Sequence, residues 1–250
     1  TGTNNTFVGT QAGRLNTGTD NVFVGSGAGE NNSSGGDNTF IGEQAGTNNT
    51  TGRDNTFIGE KAGFNNTTAS GNTFVGRRAG FLNTEGEGNT FVGGEATYNT
   101  DYSSQFDYFN SGVGFENTTG DANTLIGAGA GTDVRTGSAN TFVGHAAGAN
   151  TPFSSESTFV GAFAGWDNNR SNNENNALRN NYFGFAAGGT NREGSDNVGI
   201  GHDADFTNAA NNDPGINNRN VFIGNSTSIN TANDIVLVGY NGTVANSANL

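Results

Sequence analysis

Apolar residues in this chain fall into columns instead of clusters. In the stretch Asn38 to Asp54, NTFIGEQAGTNNTTGRD, threonine and isoleucine flank a phenylalanine, a glycine closes the phrase, and a polar half follows. The stretch returns almost unchanged as NTFIGEKAGFNNTTASG at Asn55 to Gly71. The closing position falls at Gly9, Gly25, Gly42, Gly59, Gly76, Gly93, Asn110, Gly127, Gly144, Gly161, Gly184, Gly201, Gly224 and Gly239. Nine of the thirteen intervals are 17 residues and the others are 16, 23, 23 and 15, so the chain is an array of one repeated unit. Each unit is too small to bury a core alone, and stacking its copies supplies one.

Two columns define a short strand. The residue before the closing position is always Val, Ile or Phe, as at Val24, Ile41, Ile58 and Val92, and the residue two earlier is mostly Thr or Val. β-Branched residues at alternate sites make one face of a strand, and the exchange of Thr with Val predicts that this face turns inward. The opposite face carries Phe7, Phe23, Phe40, Phe57, Phe74, Phe91, Tyr108, Leu125, Phe142 and Phe159. A strand apolar on both faces is buried on both, and a thin single-chain solenoid has only one inward face. The Phe column is therefore predicted to be a trimer interface, since left bare it would exceed the apolar patches that soluble monomers show.

After the glycine comes a small residue, Ala45, Ala62, Ala79, Ala130, Ala147 or Ala164, then usually Gly, then a polar NNTTG turn. This half reads as a second short strand leading into a turn. The predicted fold is all-β, a parallel β-roll or β-solenoid of about 14 coils stacked over roughly 65 Å. It forms a single repeat solenoid over residues 1–250, with regular coils in 1–166, coils with insertions in 167–224 and a C-terminal coil in 225–250. Helices are excluded by the absence of a 3.6-residue period and by the frequency of Gly.

The segment FDYFNSGVGFENTTG tests the register. Gly93 and Gly127 stand 34 residues apart, two periods, so Phe106 to Asn110 is expected to fill a regular strand slot. Asn110 would then replace the closing glycine, and Asn is the non-Gly residue that best accepts a left-handed backbone. The insertions are expected at Asp167 to Arg179 and Ala204 to Arg219, six extra residues each.

Composition changes the picture in few places. With 42 Gly, 2 Pro and 31% hydrophobic residues the chain resembles a low-complexity segment, but the columns overrule that reading. The lack of Met leads us to expect a segment processed or cut from a longer protein, and no signal peptide or membrane-spanning run is visible. The absence of Cys removes disulfides, thiol catalysis and Cys-based metal sites. A net charge of -13, with Lys61 the only lysine, argues against nucleic acid and anionic membranes as partners.

Candidate chemistry is sparse, and the chain is expected not to be an enzyme. His145 and His202 lie 57 residues apart, which favours turn or surface roles over a zinc or catalytic pair. The carboxylate pairs Asp203 with Asp205, and Asp101 with Asp107, have no spacing that establishes a glycosidase cleft. Asp203, Asp205, Asn208, Asn211, Asn212 and Asp213 crowd one insertion with oxygen ligands, but without a calcium-loop pattern; no cofactor is expected and calcium is the weaker option. An aromatic track is sharper. Phe64, Phe81, Tyr98 and Phe115 occupy the fifth place after four successive closing positions, Trp166 holds the same slot further on, and Tyr102 lies on the adjacent turn. Such a track either seals a corner or presents rings to a sugar or an apolar surface.

The repeat NTFIGEQAGTNNTTG is similar to the NTAIGYQALxxNTTG repeats of bacterial surface fibres and phage-type tail fibres. It resembles more distantly the NSVAIG repeats of YadA-like trimeric autotransporter heads. That resemblance spans nearly the whole chain and implies a left-handed parallel β-roll, three chains about a common axis, in an extracellular fibre on a cell surface or virion. It departs in carrying Phe where those relatives have Ala, and no stalk, anchor or chaperone pattern accompanies it. The implied function is attachment, with a homotrimer binding a cell-surface glycan or protein. Two alternatives stand beside it. One is an ice-binding solenoid, disfavoured because the Thr of NTFIG is expected to face inward and pairs such as Thr50 and Thr51 form no unbroken rank. The other is a glycan-degrading tailspike.

Overall fold

The computed structural model describes residues 2–94, 112–169, 177–206 and 217–246. Its elements are β1 (Thr6–Val8), β2 (Val22–Val24), β3 (Thr39–Ile41), β4 (Thr56–Ile58), β5 (Thr73–Val75), β6 (Thr90–Val92), β7 (Thr124–Ile126), β8 (Thr141–Val143), β9 (Thr158–Val160), β10 (Asn181–Phe183), β11 (Val198–Ile200), β12 (Asp205–Phe206), β13 (Val221–Ile223), β14 (Ser228–Thr231), β15 (Val236–Val238) and β16 (Thr243–Asn246). Among the described residues there is no helix. Thirteen strands form one parallel sheet in the order β1 to β11, then β13 and β15, each pairing with the next in register. The chain is a β-solenoid of about 12 turns, and twelve intervals at about 4.8 Å give a rod of about 58 Å.

The two faces of the strand are the reverse of the expectation. Phe23, Phe40, Phe57, Phe74, Phe91, Leu125, Phe142 and Phe159 are fully buried inside their own chain, so they are not a trimer interface. Phe7 is more exposed because it belongs to the first rung, and Tyr108 lies outside the described residues. Threonine and isoleucine face outward instead, Ile41 at 38% exposure and Ile58 at 37%. The cause is a match of large against small. The Phe rings fill the coil opposite the buried Ala45, Ala62 and Ala79. At Gly46, with φ of 56°, a Cβ would stand 2.5 Å from the Phe40 ring, so only glycine leaves space for it.

Stacking follows from the register. Phe40 and Phe57 lie 4.8 Å apart with planes 5° off parallel, and the stack runs without a break from Phe7 to Phe91. Burying each ring is worth about 1.5–3 kcal/mol, and this single file of rings is the greater part of the core. The file passes through Leu125 between Phe91 and Phe142 and is left without a side chain at Gly199, where the Phe222 ring leans into the space: a Cβ there would be 2.5 Å from it.

The polar half of each coil is neither a strand nor a simple turn. Gln44 (φ 57°) and Gly46 (φ 56°) both adopt the left-handed region, which a strand cannot accommodate. The predicted second strand is therefore replaced by tight turns that bond from coil to coil, as Gly46 N–H does to Ala62 O at 2.9 Å and Thr50 N–H to Thr67 O at 2.8 Å. Only near the C-terminus do β12, β14 and β16 pair into a second small sheet.

Two asparagine ladders hold these turns. Asn49 Nδ2 donates to Asn32 Oδ1 at 2.6 Å, and Asn66 Nδ2 donates to Asn49 Oδ1 at 2.8 Å. In the second ladder the Asn55 backbone N–H donates to Asn38 Oδ1 and Asn72 N–H to Asn55 Oδ1, each at 3.0 Å. All these asparagines are fully buried, so the ladders satisfy polar groups that would otherwise be costly inside.

The ladders also correct the register. β6 pairs directly with β7, Thr90 opposite Thr124, and Asn123 N–H donates to Asn89 Oδ1 across 34 residues of sequence. No strand stands between them, against the expected slot for Phe106 to Asn110, which lie outside the described residues. Val113 takes the buried Ala position of the same coil. The fourteen expected coils become thirteen rungs.

Candidate interaction surfaces

The outer face of the main sheet is the largest regular surface that the fold builds. Its first column is mostly threonine, Thr39, Thr56, Thr73, Thr90, Thr124, Thr141 and Thr158. Its second is apolar in every one of the thirteen rungs, from Val8 through Ile41, Ile58, Val92, Ile126 and Val160 to Phe183, Ile200 and Val238. Each three-residue strand sends both of these side chains out and the Phe between them in, by the two-residue alternation of strands. Neighbouring solvent positions change freely: Glu43, Glu60 and Arg77 follow the closing glycine on successive coils, and Arg77 Nε donates to Glu60 Oε2 at 3.1 Å. The apolar column tolerates no such change.

The predicted aromatic track is in part a stack. Phe64 and Phe81 lie 5.2 Å apart, Phe81 and Phe115 lie 5.1 Å apart, and all three are half-buried. Phe115 follows Phe81 directly because no strand stands between β6 and β7; Tyr98 and Tyr102 lie outside the described residues. The stack ends at the buried Thr132, and Trp166 belongs to a different group. It lies 5.4 Å from Phe163, which meets His145 and Phe185 edge-on at 5.2 and 5.7 Å, while Phe185 stacks on His202 at 5.0 Å. Sequence reading missed this group because Phe163 and Trp166 come from other slots than His145, Phe185 and His202, which share the first place after the closing glycine, and because the coil of Phe163 interrupts that column; the signal available was the appearance of His and Phe after closing glycines 144, 161, 184 and 201.

Two acids are perturbed by the fold. Burial, then the hydrogen bond and charge of Glu116 on the neighbouring coil, push Asp133 up to about 8, against the pull of Arg135. Arg135 Nε lies 2.8 Å from Asp133 Oδ1, off the line of a hydrogen bond, and donates to Glu116 Oε2 at 2.9 Å. Burial raises Asp205 to about 7, although its Oδ1 accepts from Thr190 N–H at 3.0 Å and from Thr190 Oγ1 at 3.2 Å. On the surface, the Arg179 and Arg219 guanidiniums hold Asp196 and Asp234 below the usual carboxylate range.

Of the proposed calcium set, Asp203 and Asp205 are described and Asn208, Asn211, Asn212 and Asp213 are not. Among the described residues no group of three or more His, Asp or Glu is placed to hold a metal ion. His145 and His202 stand at the two ends of the aromatic group on different coils, and His202 Nδ1 lies 2.9 Å from Asp203 Oδ2. Asp101 and Asp107 lie outside the described residues.

Comparison with known proteins yields no matching family model, no matching curated protein and no matching solved structure.

Proposed function

We propose that the chain is a structural attachment segment, an extracellular fibre section in which three copies pack through their threonine–isoleucine faces and bind a cell-surface glycan or protein by repeated contact. The observation that carries it is the outward column, apolar at thirteen successive rungs and otherwise open to water. Two residue steps across and twelve rungs long, the flat strip measures about 7 by 58 Å, close to the size at which bare apolar patches become interaction sites. The likeness of NTFIG to the repeats of trimeric heads sets the number of copies at three, with the interface on the Thr and Ile columns in place of the Phe column. Threefold repetition of weak receptor contacts multiplies their effect. The test is a combined Ile41→Asp, Ile58→Asp and Ile126→Asp variant. It is expected to sediment as a monomer with an unchanged β spectrum; an assembly that survives the three charges contradicts the proposal.

A second reading draws on the same face. Threonine points out of the sheet, which removes the main sequence argument against ice binding, and eight of the thirteen rungs present Thr beside a β-branched aliphatic residue. Thermal hysteresis in a dilute solution of the segment, abolished by Thr56→Tyr and Thr73→Tyr, supports this reading; its absence removes it.

A further inference from the structure

We infer that the surface group of His145, Phe163, Trp166, Phe185 and His202 is a binding site for a neutral oligosaccharide. This deepens the attachment reading by naming its ligand class, and rests on it. The group spans the four consecutive coils that begin at β8, β9, β10 and β11, a length of about 15 Å at the coil spacing. Its rings form one continuous chain of contacts at 5.0 to 5.7 Å from His145 to His202, with Trp166 beside Phe163. All remain accessible: Phe185 is 46% exposed, the His202 side chain is 55% exposed, and the others are half-buried.

The backbone displays this group by construction. The second place after each closing glycine has positive φ, at Gln44, Lys61 and Arg78 in the regular coils and at Phe163 (φ 60°) and Asp203 (φ 51°) here. That slot carries Gln44, Lys61 and Arg78 in the regular coils and the small Ala146 and Ala186 on the coils either side of Phe163. Phe163 places a ring there, in a conformation that bulky residues rarely accept, where it makes no part of the core.

The chemistry selects the ligand. A sugar ring offers an apolar face to an aromatic ring and hydroxyls at its edge. Phe185 supplies the face; stacked on it, His202 meets Asp203 at Nδ1 at 2.9 Å, which leaves its second ring nitrogen, Nε2, for a hydroxyl. A wholly apolar partner would strip water from that half-exposed His–Asp pair and return no hydrogen bond. An anionic partner meets Asp203 and a chain of net charge -13.

Trp166 is the only tryptophan in the chain and reports on the site directly. The experiment titrates the intact segment at neutral pH with cellohexaose, maltohexaose and chitohexaose and follows Trp166 emission. We expect saturable change with at least one hexamer, affinity lowered about fivefold to tenfold by Phe185→Ser, and an unchanged melting temperature in that variant. No saturable response to any of the three overturns the site. So does emission that depends on protein concentration alone, which assigns the patch to contact between copies of the chain. Phe185 lies off the threonine–isoleucine face, so failure here leaves the mass of the assembly, and the attachment reading, to stand or fall separately.

Discussion

Replacing Phe57 by alanine removes one ring from the middle of the internal file. Phe57 is fully buried, with Phe40 at 4.8 Å on one side and Phe74 at 4.9 Å on the other. Truncating a buried Phe costs about 3–5 kcal/mol through lost transfer energy and the cavity left behind. The two lost ring contacts add about 1–2 kcal/mol between them. Against a stability of about 5–15 kcal/mol for ordinary domains, that is a large fraction. Because each coil touches only its neighbours, the damage also uncouples the coils on either side, and unfolding should broaden or split into two steps. The assay is urea denaturation followed by circular dichroism, with Ile58→Ser as the control on the same strand. Ile58 is 37% exposed, so its loss is expected to cost about 1 kcal/mol or less in the single chain. A Phe57→Ala protein that unfolds within about 1 kcal/mol of the parent would refute the inward Phe column.

Asn49→Ala removes the donor to Asn32 Oδ1 and the acceptor of an Asn66 Nδ2 hydrogen, while Gly52 O keeps Asn38 as a partner, so one buried acceptor and one buried donor are orphaned at about 1–3 kcal/mol each; denaturation midpoints measure it, and no change would deny the ladder a role. Gly46→Ala must hold φ 56° at about 1–2 kcal/mol and crowd a Phe40 ring already confined by its neighbours, whereas Gly88→Ala, at φ 64° with open space around it, bears only the backbone cost; equal losses in the two variants would contradict the packing. Stability should also fall as pH rises. Asp133 and Asp205 have folded values raised to about 8 and about 7, so the folded state binds more protons than the unfolded one between about pH 4 and those values. Their contribution is complete below about pH 4 and lost as pH rises through 7 and 8. Asp196 and Asp234, lowered by their arginines, act oppositely and lose their contribution only in stronger acid. The melting temperature is thus expected to be higher at pH 5 than at pH 8.5 and Asp133→Asn to flatten the slope; a rising profile would be the contrary result.

Much of the fold was legible because period and register are written in the spacing of residues. The 17-residue interval predicts parallel rungs, and Thr39, Thr56 and Thr73 do stand opposite one another. Which face turned inward was not legible from the strand alone, since both of its faces are apolar. The deciding signal was elsewhere in the repeat: Ala45 and Gly46 are too small to fill a coil, so the large Phe40 had to lie opposite them. The inserted period misled for a related reason, as arithmetic cannot separate a rung from a loop of equal length. The sequence offers Phe106 where each ladder position has an asparagine or serine, and the ladder bond runs from Asn123 directly to Asn89. The aromatic track was legible where one slot repeats, at Phe64 and Phe81. The group around Phe163 was not, because the column of His145, Phe185 and His202 is interrupted on the coil of Phe163, whose rings come from two other slots.

The measurement that bears most directly on the account is the solution mass of the unmodified segment by light scattering. The proposed threefold packing through the open apolar column predicts three chains of 25.6 kDa, about 77 kDa, constant on dilution through the micromolar range. A stable 25.6 kDa monomer would contradict the shared face and leave the threonine and isoleucine ranks free for ice.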